Sequence, residues 1–399
     1  MTLAIETPPA ATRDVGGPAA TLPAWTYRDA AFFALEREHL FLANWQIVCH
    51  ASEVAEPGAY ATLELLGERV LAVRGEDGDL RAFYNVCRHR AAAVLSGSGT
   101  CVGAIRCPYH GWTYGFDGRL KAVPAEASFP GLEKDAYGLR PLDVEVFLGF
   151  VFVRFRGPGP SVAERLACYR DEMAAYRLAD MEPYREPWRY ELEVDWKTAM
   201  DNYLEGYHVP VGHPGLYRLF GARYEIETRA TNVSRAMHWL RDRPSSNWSE
   251  RHYQALLPEM EHLPADRRRA WAYYTLLPNA ALELYADHVD FIHVIPTGPG
   301  ASIMRGRSYR LPNPPRRLRA TQYLNRRINA QVQREDADLI RSVQAGLASE
   351  SYVAGVLSEK ETCVRQLHDM VRKAVPEARS PVPPDRHPSR VSHVPRARP

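Results

Sequence analysis

The chain has 399 residues, 45% hydrophobic and 25% charged, which is enough for two domains with cores of their own and ordinary for a soluble globular protein. Its 50 basic and 48 acidic residues leave a formal net charge of +2, so charge supplies no drive toward nucleic acid or an anionic membrane. The longest apolar runs, such as residues 146–155, fall far short of the roughly 20 residues that span a bilayer. Residues 1–23 are rich in Ala, Pro and Thr, without a basic start and an apolar core. They do not read as a secretory signal, and the expected location is cytoplasmic.

Residues 1–40 are expected to start as a mobile segment and then turn helical. From residue 45 to about 156, short β-rich runs at 60–66, 69–74, 80–85 and 147–155 are separated by Gly58, Gly67, Asp77-Gly78 and Asp117-Gly118. Asp-Gly between β-formers signals a hairpin, so residues 41–157 are expected to form an all-β domain. Within it stand Cys87-x-His89 and Cys107-x-x-His110, with residues 90–106 between the pairs. Six cysteines in all, at 49, 87, 101, 107, 168 and 363, are too sparse for a disulfide framework. Two thiolates suit a ferric ion, and two imidazoles on a second iron remove negative charge and raise its reduction potential. A Cys2His2 zinc site uses the same four donors. Zinc fingers, however, group the two cysteines together and the two histidines together, whereas each pair here is mixed. Gly97, Gly99 and Gly103 have the wrong spacing for a dinucleotide fingerprint and read as turn glycines.

Gly157-Pro158-Gly159-Pro160 marks a domain boundary, and Ser161 with Glu164 reads as a capping box opening a helix over 161–178. Helical patterns follow at 196–207, 319–347 and 358–375, and strand patterns at 188–194, 270–276, 281–295 and 302–310. Residues 158–375 therefore form an α+β domain. The tail, 376–399, is rich in Pro and Arg and is expected to be mobile.

The helix expected over 196–207 puts Glu205 and His208 on one face. His213 lies five positions on, about 140° around an ideal helix, but Pro210 and Gly212 give the helix reason to break, so both imidazoles can converge. Two histidines need a carboxylate to complete a facial triad for Fe(II). Acidic residues are abundant, and spacing alone selects none.

Residues 81–90, Arg-Ala-Phe-Tyr-Asn-Val-Cys-Arg-His-Arg, and 107–120, Cys-Pro-Tyr-His-Gly-Trp-Thr-Tyr-Gly-Phe-Asp-Gly-Arg-Leu, resemble the Rieske domain of ring-hydroxylating and demethylating oxygenases. One departure is Ala91, where glycine commonly stands. Asp195-Trp196-Lys197 and Asn202-Tyr203-Leu204 resemble the same family's catalytic domain. The resemblance covers roughly residues 40–370. It implies an α+β chain: an N-terminal all-β Rieske [2Fe-2S] domain followed by a helix-grip (START-like) catalytic domain. The cluster would sit on Cys87, His89, Cys107 and His110, and a mononuclear Fe(II) on His208, His213 and a carboxylate. The Glu-Asp-x-x-Leu context points to Asp336 for that carboxylate, with Glu335 and Asp338 as fallbacks. Asn202 and Glu205 join the catalytic set, Glu205 bridging His110 of one subunit to His208 of its neighbour.

The resemblance further implies O2 as co-substrate and electrons drawn from NAD(P)H only through a separate reductase, with or without a ferredoxin. It implies a homotrimer, with α3β3 as the alternative. Most members carry Asp where this chain has Glu205; Glu occurs in a branch that includes carnitine and glycine betaine monooxygenases. A quaternary amine or N-methyl substrate is therefore favoured for hydroxylation or oxidative demethylation. Aromatic ring hydroxylation is the alternative, and an electron carrier without working mononuclear iron is less favoured. Tyr224, Met237, Trp239, Trp248, Trp271, Tyr273, Tyr274 and Tyr285 lie in the expected specificity region. Half or more of them are expected simply to pack the sheet.

Overall fold

The computed structural model describes residues 20–384. A helix, α1 (Ala30–Glu36), precedes β1 (Gln46–His50), β2 (Ala59–Leu65), β3 (Glu68–Arg74), β4 (Leu80–Tyr84), β5 (Ser98–Thr100), β6 (Ile105–Arg106), β7 (Thr113–Tyr114), β8 (Leu120–Ala122), β9 (Pro141–Phe147) and β10 (Phe150–Arg154). Alternation builds the first sheet: along β2, Ala59, Ala61, Leu63 and Leu65 point into the core and the residues between them point out. Seven strands pair in the order β1-β10-β9-β4-β3-β2-β5, and β6, β7 and β8 form a small second sheet. The single strand expected over 147–155 is instead the end of one strand and the whole of the next. Leu148 and Gly149 both take positive φ between β9 and β10, the tight turn whose twist suits a hairpin.

Past the boundary, Ser161 and Glu164 form the expected capping box. The helix it opens is short, because the segment splits into α2 (Val162–Arg165) and α3 (Arg170–Ala174). Then come β11 (Glu182–Pro183), β12 (Trp188–Leu192), α4 (Trp196–Tyr203), α5 (Val209–Gly212), α6 (Pro214–Phe220), β13 (Tyr224–Ala230), β14 (Val233–Trp239) and α7 (Trp248–Leu256). The domain ends with β15 (Ala270–Leu276), β16 (Ala280–Leu284), β17 (Val289–Gly298), β18 (Ala301–Arg310), α8 (Arg316–Gly346) and α9 (Thr362–Ala374). An antiparallel sheet runs β11-β18-β17-β16-β15-β14-β13, with β12 also on β18. The expected strand over 281–295 is two strands, β16 and β17.

Helix α8 packs on α7 and α4. The buried residues of this helix, Leu318, Thr321, Gln322, Leu324, Asn325, Ile328 and Ile340, recur mostly at spacings that keep one stripe inward. Asp336 lies eight residues past Ile328 and four before Ile340, on the same stripe. A polar seam joins the two domains: the side chain of Gln46 meets His293 Nε2 (2.9 Å) and Asn279 Nδ2 (3.2 Å), and Glu53 accepts from Tyr309 and Arg307.

The tail expected to be mobile from 376 is held at its start. Residues Pro376–Arg379 form a 3-10 turn, Ala378 is buried, and Trp25 Nε1 donates to Ser380 O (2.9 Å). Composition misses this because two small contacts suffice to anchor a few residues. The expected mobile stretches over 1–19 and 385–399 lie outside the described residues. Among the described residues no helix is long and apolar enough to cross a membrane.

Candidate functional site

The two Cys/His segments follow the same backbone path. In the connection after β4, Cys87 N–H donates to Ala92 O (2.8 Å) and Ala91 N–H to Cys87 O (3.0 Å). Between β6 and β7, Cys107 N–H donates to Trp112 O (2.8 Å) and Gly111 N–H to Cys107 O (3.0 Å). The penultimate position is left-handed in both turns, with φ of 60° at Ala91 and 73° at Gly111. Glycine adopts this conformation freely, whereas an L side chain there costs roughly 1–2 kcal/mol. Ala91 thus removes no donor but strains its turn. Asn85 pins the first segment by accepting from the Val94 and Leu95 N–H groups and donating to Leu95 O (2.7 Å).

The Cys87 and Cys107 thiols are buried, and the His89 and His110 rings lie 4.6 Å apart, with His89 stacked on Trp112. His89 Nδ1 is buried without a hydrogen-bond partner. In an otherwise satisfied loop, such an orphan nitrogen is suited to a ligand bond. Tyr114 Oη accepts from Arg88 N–H (3.0 Å) and lies 3.2 Å from Cys87 Sγ, so its own proton is free to face the sulfur.

Among the described residues, only His208, His213 and Asp336 bring three His, Cys, Asp or Glu ligand atoms within 4.8 Å of one another. The four Cys/His donors are therefore spread wider than a tetrahedral zinc ion, with bonds of about 2.0–2.3 Å, would gather them. That spread and the mixed pairing fit two irons better than one zinc.

The second constellation is assembled where α4 stops. Asp195 caps α4, accepting from Lys197 N–H (3.0 Å), and the helix ends at Tyr203 rather than running to 207. Glu205 and His208 therefore do not share a helix face. Glu205 lies in the connection, where its Oε2 accepts from the N–H groups of Tyr207 and His208 and its Oε1 meets His208 Nδ1. A further turn, α5, carries Pro210, and His213 sits at its junction with α6. Gly212 lets this junction press on α8: a Cβ there would come 2.9 Å from Leu339 Cδ1.

The imidazoles of His208 and His213 meet at Nε2 (3.1 Å), and Asp336 Oδ1 lies 2.9 Å from His213 Nε2 and 3.6 Å from His208 Nε2. Asn202 Nδ2 donates to the same oxygen (2.7 Å). Glu335, a fallback ligand in the sequence reading, points elsewhere: its Oε2 meets His213 Nδ1 at 2.9 Å. Asp338 is exposed and paired with Arg341. Each histidine thus has its Nδ1 held by a carboxylate and its Nε2 turned to the common centre, the arrangement that fixes a metal-binding tautomer. Burial pushes the His208 imidazole down, but Asp336 and Glu205 outweigh it and hold it up at about 9. Against its own burial, hydrogen bonds from His208 and His213 hold the Asp336 carboxyl well below the usual range. The centre therefore attracts positive charge, and its donors fit a divalent iron.

A cavity of about 830 Å³ opens beside these three residues, between the sheet and α8. Register decides its lining. Ala236, Tyr273, Glu283, Asp290 and Ser308 pair in turn across β14, β15, β16, β17 and β18, and this whole row faces the cavity. Of the eight residues in the expected specificity region, only Tyr224 and Tyr273 line it. Met237, Trp271, Tyr274 and Tyr285 are core, Trp239 packs under Arg223, and Trp248 is exposed. Sequence reasoning missed Glu283 and Asp290; the available signal was a charged residue at an inward position of an otherwise apolar strand.

A β domain with twinned Cys/His turns, joined to an α+β domain with a two-histidine, one-carboxylate group on its cavity, defines the class of Rieske oxygenase alpha subunits. Residues 44–140 match the Rieske [2Fe-2S] domain and residues 179–377 the ring hydroxylating alpha subunit (catalytic domain); the chain belongs to this family. It is 31% identical over 343 residues to the chloroplastic choline monooxygenase of Spinacia oleracea, covering 84% of this chain and 73% of that protein. It is 37% identical over 197 residues to the carnitine monooxygenase oxygenase subunit of Acinetobacter pittii, covering 49% of this chain and 53% of that one. The chain thus spans about half the length of the carnitine monooxygenase subunits it matches. The crystal structure of the quaternary ammonium Rieske monooxygenase CntA is similar with a TM-score of 0.78 at 26% identity, covering 93% of this chain and 99% of that one.

Two outcomes are expected. Ala91→Gly should stabilise the first domain by about 1 kcal/mol, read by chemical denaturation, with the visible spectrum unchanged; no gain means the turn is not strained. Glu335→Ala should weaken iron retention at the second centre by about 10- to 100-fold in chelator competition, leaving the first centre intact. Equal retention would show that His213 needs no partner at Nδ1.

Proposed function

We propose that the chain is the terminal oxygenase component of a multicomponent Rieske oxygenase acting on a small organic cation of the quaternary ammonium or N-methyl type. The observation that carries this reading is the His208, His213 and Asp336 group on the wall of a cavity, downstream of the paired Cys/His turns. Cys87, His89, Cys107 and His110 would hold the [2Fe-2S] cluster, and His208, His213 and Asp336 the mononuclear Fe(II). When bound, these groups supply single electrons and the activation of O2.

The protein's own residues do the positioning. Asn202 fixes Asp336 so that one oxygen faces the histidines, and Glu205 and Glu335 fix the two imidazoles. Leu204, Phe220, Ile226 and Ile292 supply apolar patches in an otherwise mixed lining.

Glu205 is proposed as a link between subunits, with its carboxylate on His208 and in reach of His110 of the partner subunit. Exposed apolar residues flank both ends of that contact: Tyr109 beside His110, and Tyr207 and Val211 beside His208. This supports a homotrimer in which the Rieske tip of one subunit docks on the 205–211 segment of the next. The electron source is a separate NAD(P)H-dependent reductase.

The test is oxygen uptake by the purified chain with a surrogate reductase, offered choline, carnitine, glycine betaine and naphthalene. Uptake coupled to oxidation of a cation is expected. Uptake with naphthalene alone would overturn the substrate reading, and a chain that binds two irons and never a third would be an electron carrier. Asp336→Ala is expected to abolish turnover while the cluster signal persists. Glu205→Ala should slow substrate-dependent cluster oxidation by about 10- to 100-fold; an unchanged rate would sink the bridging role.

A further inference from the structure

Two carboxyl groups stand side by side on the cavity wall, with no lysine or arginine in ion-pair contact with either. Glu283 on β16 and Asp290 on β17 are directly paired across the strands, where like charges are unfavourable unless something lies between or against them. Glu283 is only 9% exposed, and its Oε2 accepts from Tyr285 Oη (2.9 Å). Asp290 Oδ1 is buried without a hydrogen-bond partner. Neither residue forms an ion pair with any described residue. The nearby His288 makes its hydrogen bond to Asp287 (Nδ1, 2.9 Å), whose other oxygen accepts from Thr321, and reaches Glu283 and Asp290 only through its charge, as Arg185 does Asp290.

Aromatic faces surround the same spot. Tyr273 is the cross-strand partner of Glu283 on the other side, and its ring lies 6.3 Å from that of Tyr203 at a steep angle. Tyr203 directly follows Asn202, the residue that holds Asp336. The acidic wall and the metal donors are therefore joined through adjacent residues of one helix. A desolvated carboxylate flanked by π faces, with no lysine or arginine paired to it, suits a soft organic cation, which gains from both.

We infer that Glu283, backed by Asp290 and walled by Tyr203 and Tyr273, is the specificity-determining charge partner of a cationic group in the substrate. This rests on the reading of the chain as an oxygenase of small organic cations and names the residue that makes it one. Glu283 pairs with the substrate; it takes no part in the chemistry at the metal donors.

The protonation of Glu283 carries a second consequence. Burial first, and then the charge of Asp290, push its carboxyl up to about 8, while Tyr285, Tyr203 and His288 pull the other way. The groups facing it are thus Tyr203 from α4, Tyr273 from β15, Asp290 from β17, and Tyr285 and His288 from the turn after β16. At neutral pH the empty site is largely protonated, and a bound cation favours the ionised form and expels that proton. Cation affinity should therefore rise as pH goes from about 6 to about 8 and level off above.

The test is calorimetric binding to the iron-loaded full chain of choline and of its uncharged carbon isostere, in which tert-butyl replaces trimethylammonium. The parent should prefer choline and release a proton on binding it, seen as a heat that depends on the buffer. Glu283→Gln should lose about 30-fold in choline affinity, bind the isostere as before, and release no proton. If the parent prefers choline but Glu283→Gln keeps that preference, the assignment to Glu283 falls while the cationic substrate class stands. A parent with no preference for the cation overturns both. Should the Gln variant fail to fold, the parent alone decides: choline affinity that is flat from about pH 6 to 8 overturns the role of Glu283.

Discussion

Three donor atoms from two distant parts of the chain have to meet within 4.8 Å, and much of the catalytic domain follows from that constraint. His208 and His213 come from a stretch that must stop being a helix and turn sharply twice. Asp336 comes from a helix that must stay straight and continuous through that point. Asn202 supports their meeting by tying the end of α4 to the Asp336 carboxylate, and Gly212 leaves room for the Leu339 side chain of α8 beside the histidine segment. Repulsion between the two imidazole nitrogens and the cost of burying a carboxylate both oppose this arrangement in the bare protein. The negative charges of Glu205, Glu335 and Asp336 offset them by drawing positive charge to the centre.

The other end of α4 is fixed just as firmly. Lys197 is fully buried, its Nζ 2.8 Å from both Glu36 and Asp195, with Tyr27, Phe32 and Trp196 rings around it. Burial, more than any charge, raises Glu36 to about 7. Isolated buried ions of this kind add little net stability, yet removing one partner costs about 3–5 kcal/mol. The triad therefore acts chiefly as a locator. It joins α1 to the start of α4, so the segment leading into Asn202 and Glu205 begins from a defined place.

What the sequence reveals follows from how local each cause is. The paired Cys/His turns could be read from a few contiguous residues, because their backbone is closed by hydrogen bonds between residues four and five apart. The boundary between β9 and β10 is hard to read because only Gly149 signals the turn, while its partner Leu148 is a residue that rarely takes positive φ. Helix α4 stops short of its expected end because Gly206 weakens the continuation and Glu205 turns to accept from the Tyr207 and His208 N–H groups. The order of Glu335 and Asp336 on one helix was legible, but which of them faces the centre depends on how α8 packs against α4, α5 and α6. The cavity wall was the least legible part. Its composition is set by register across five strands, a property no single segment carries, so aromatics counted along the chain gave mostly core residues.

Helix α8 contributes Asn325 through Asp336 to one continuous side of the cavity and ends that run on the metal-facing carboxylate. Over those residues it is a rigid rod rising about 1.5 Å per position, with no proline or glycine between Arg316 and Ala345 to absorb a bend. A molecule lodged against Asn329 or Gln333 therefore leans on the same lever that carries Asp336. The wall that a guest meets and the carboxylate that faces the two histidines are thus set by the register of a single helix.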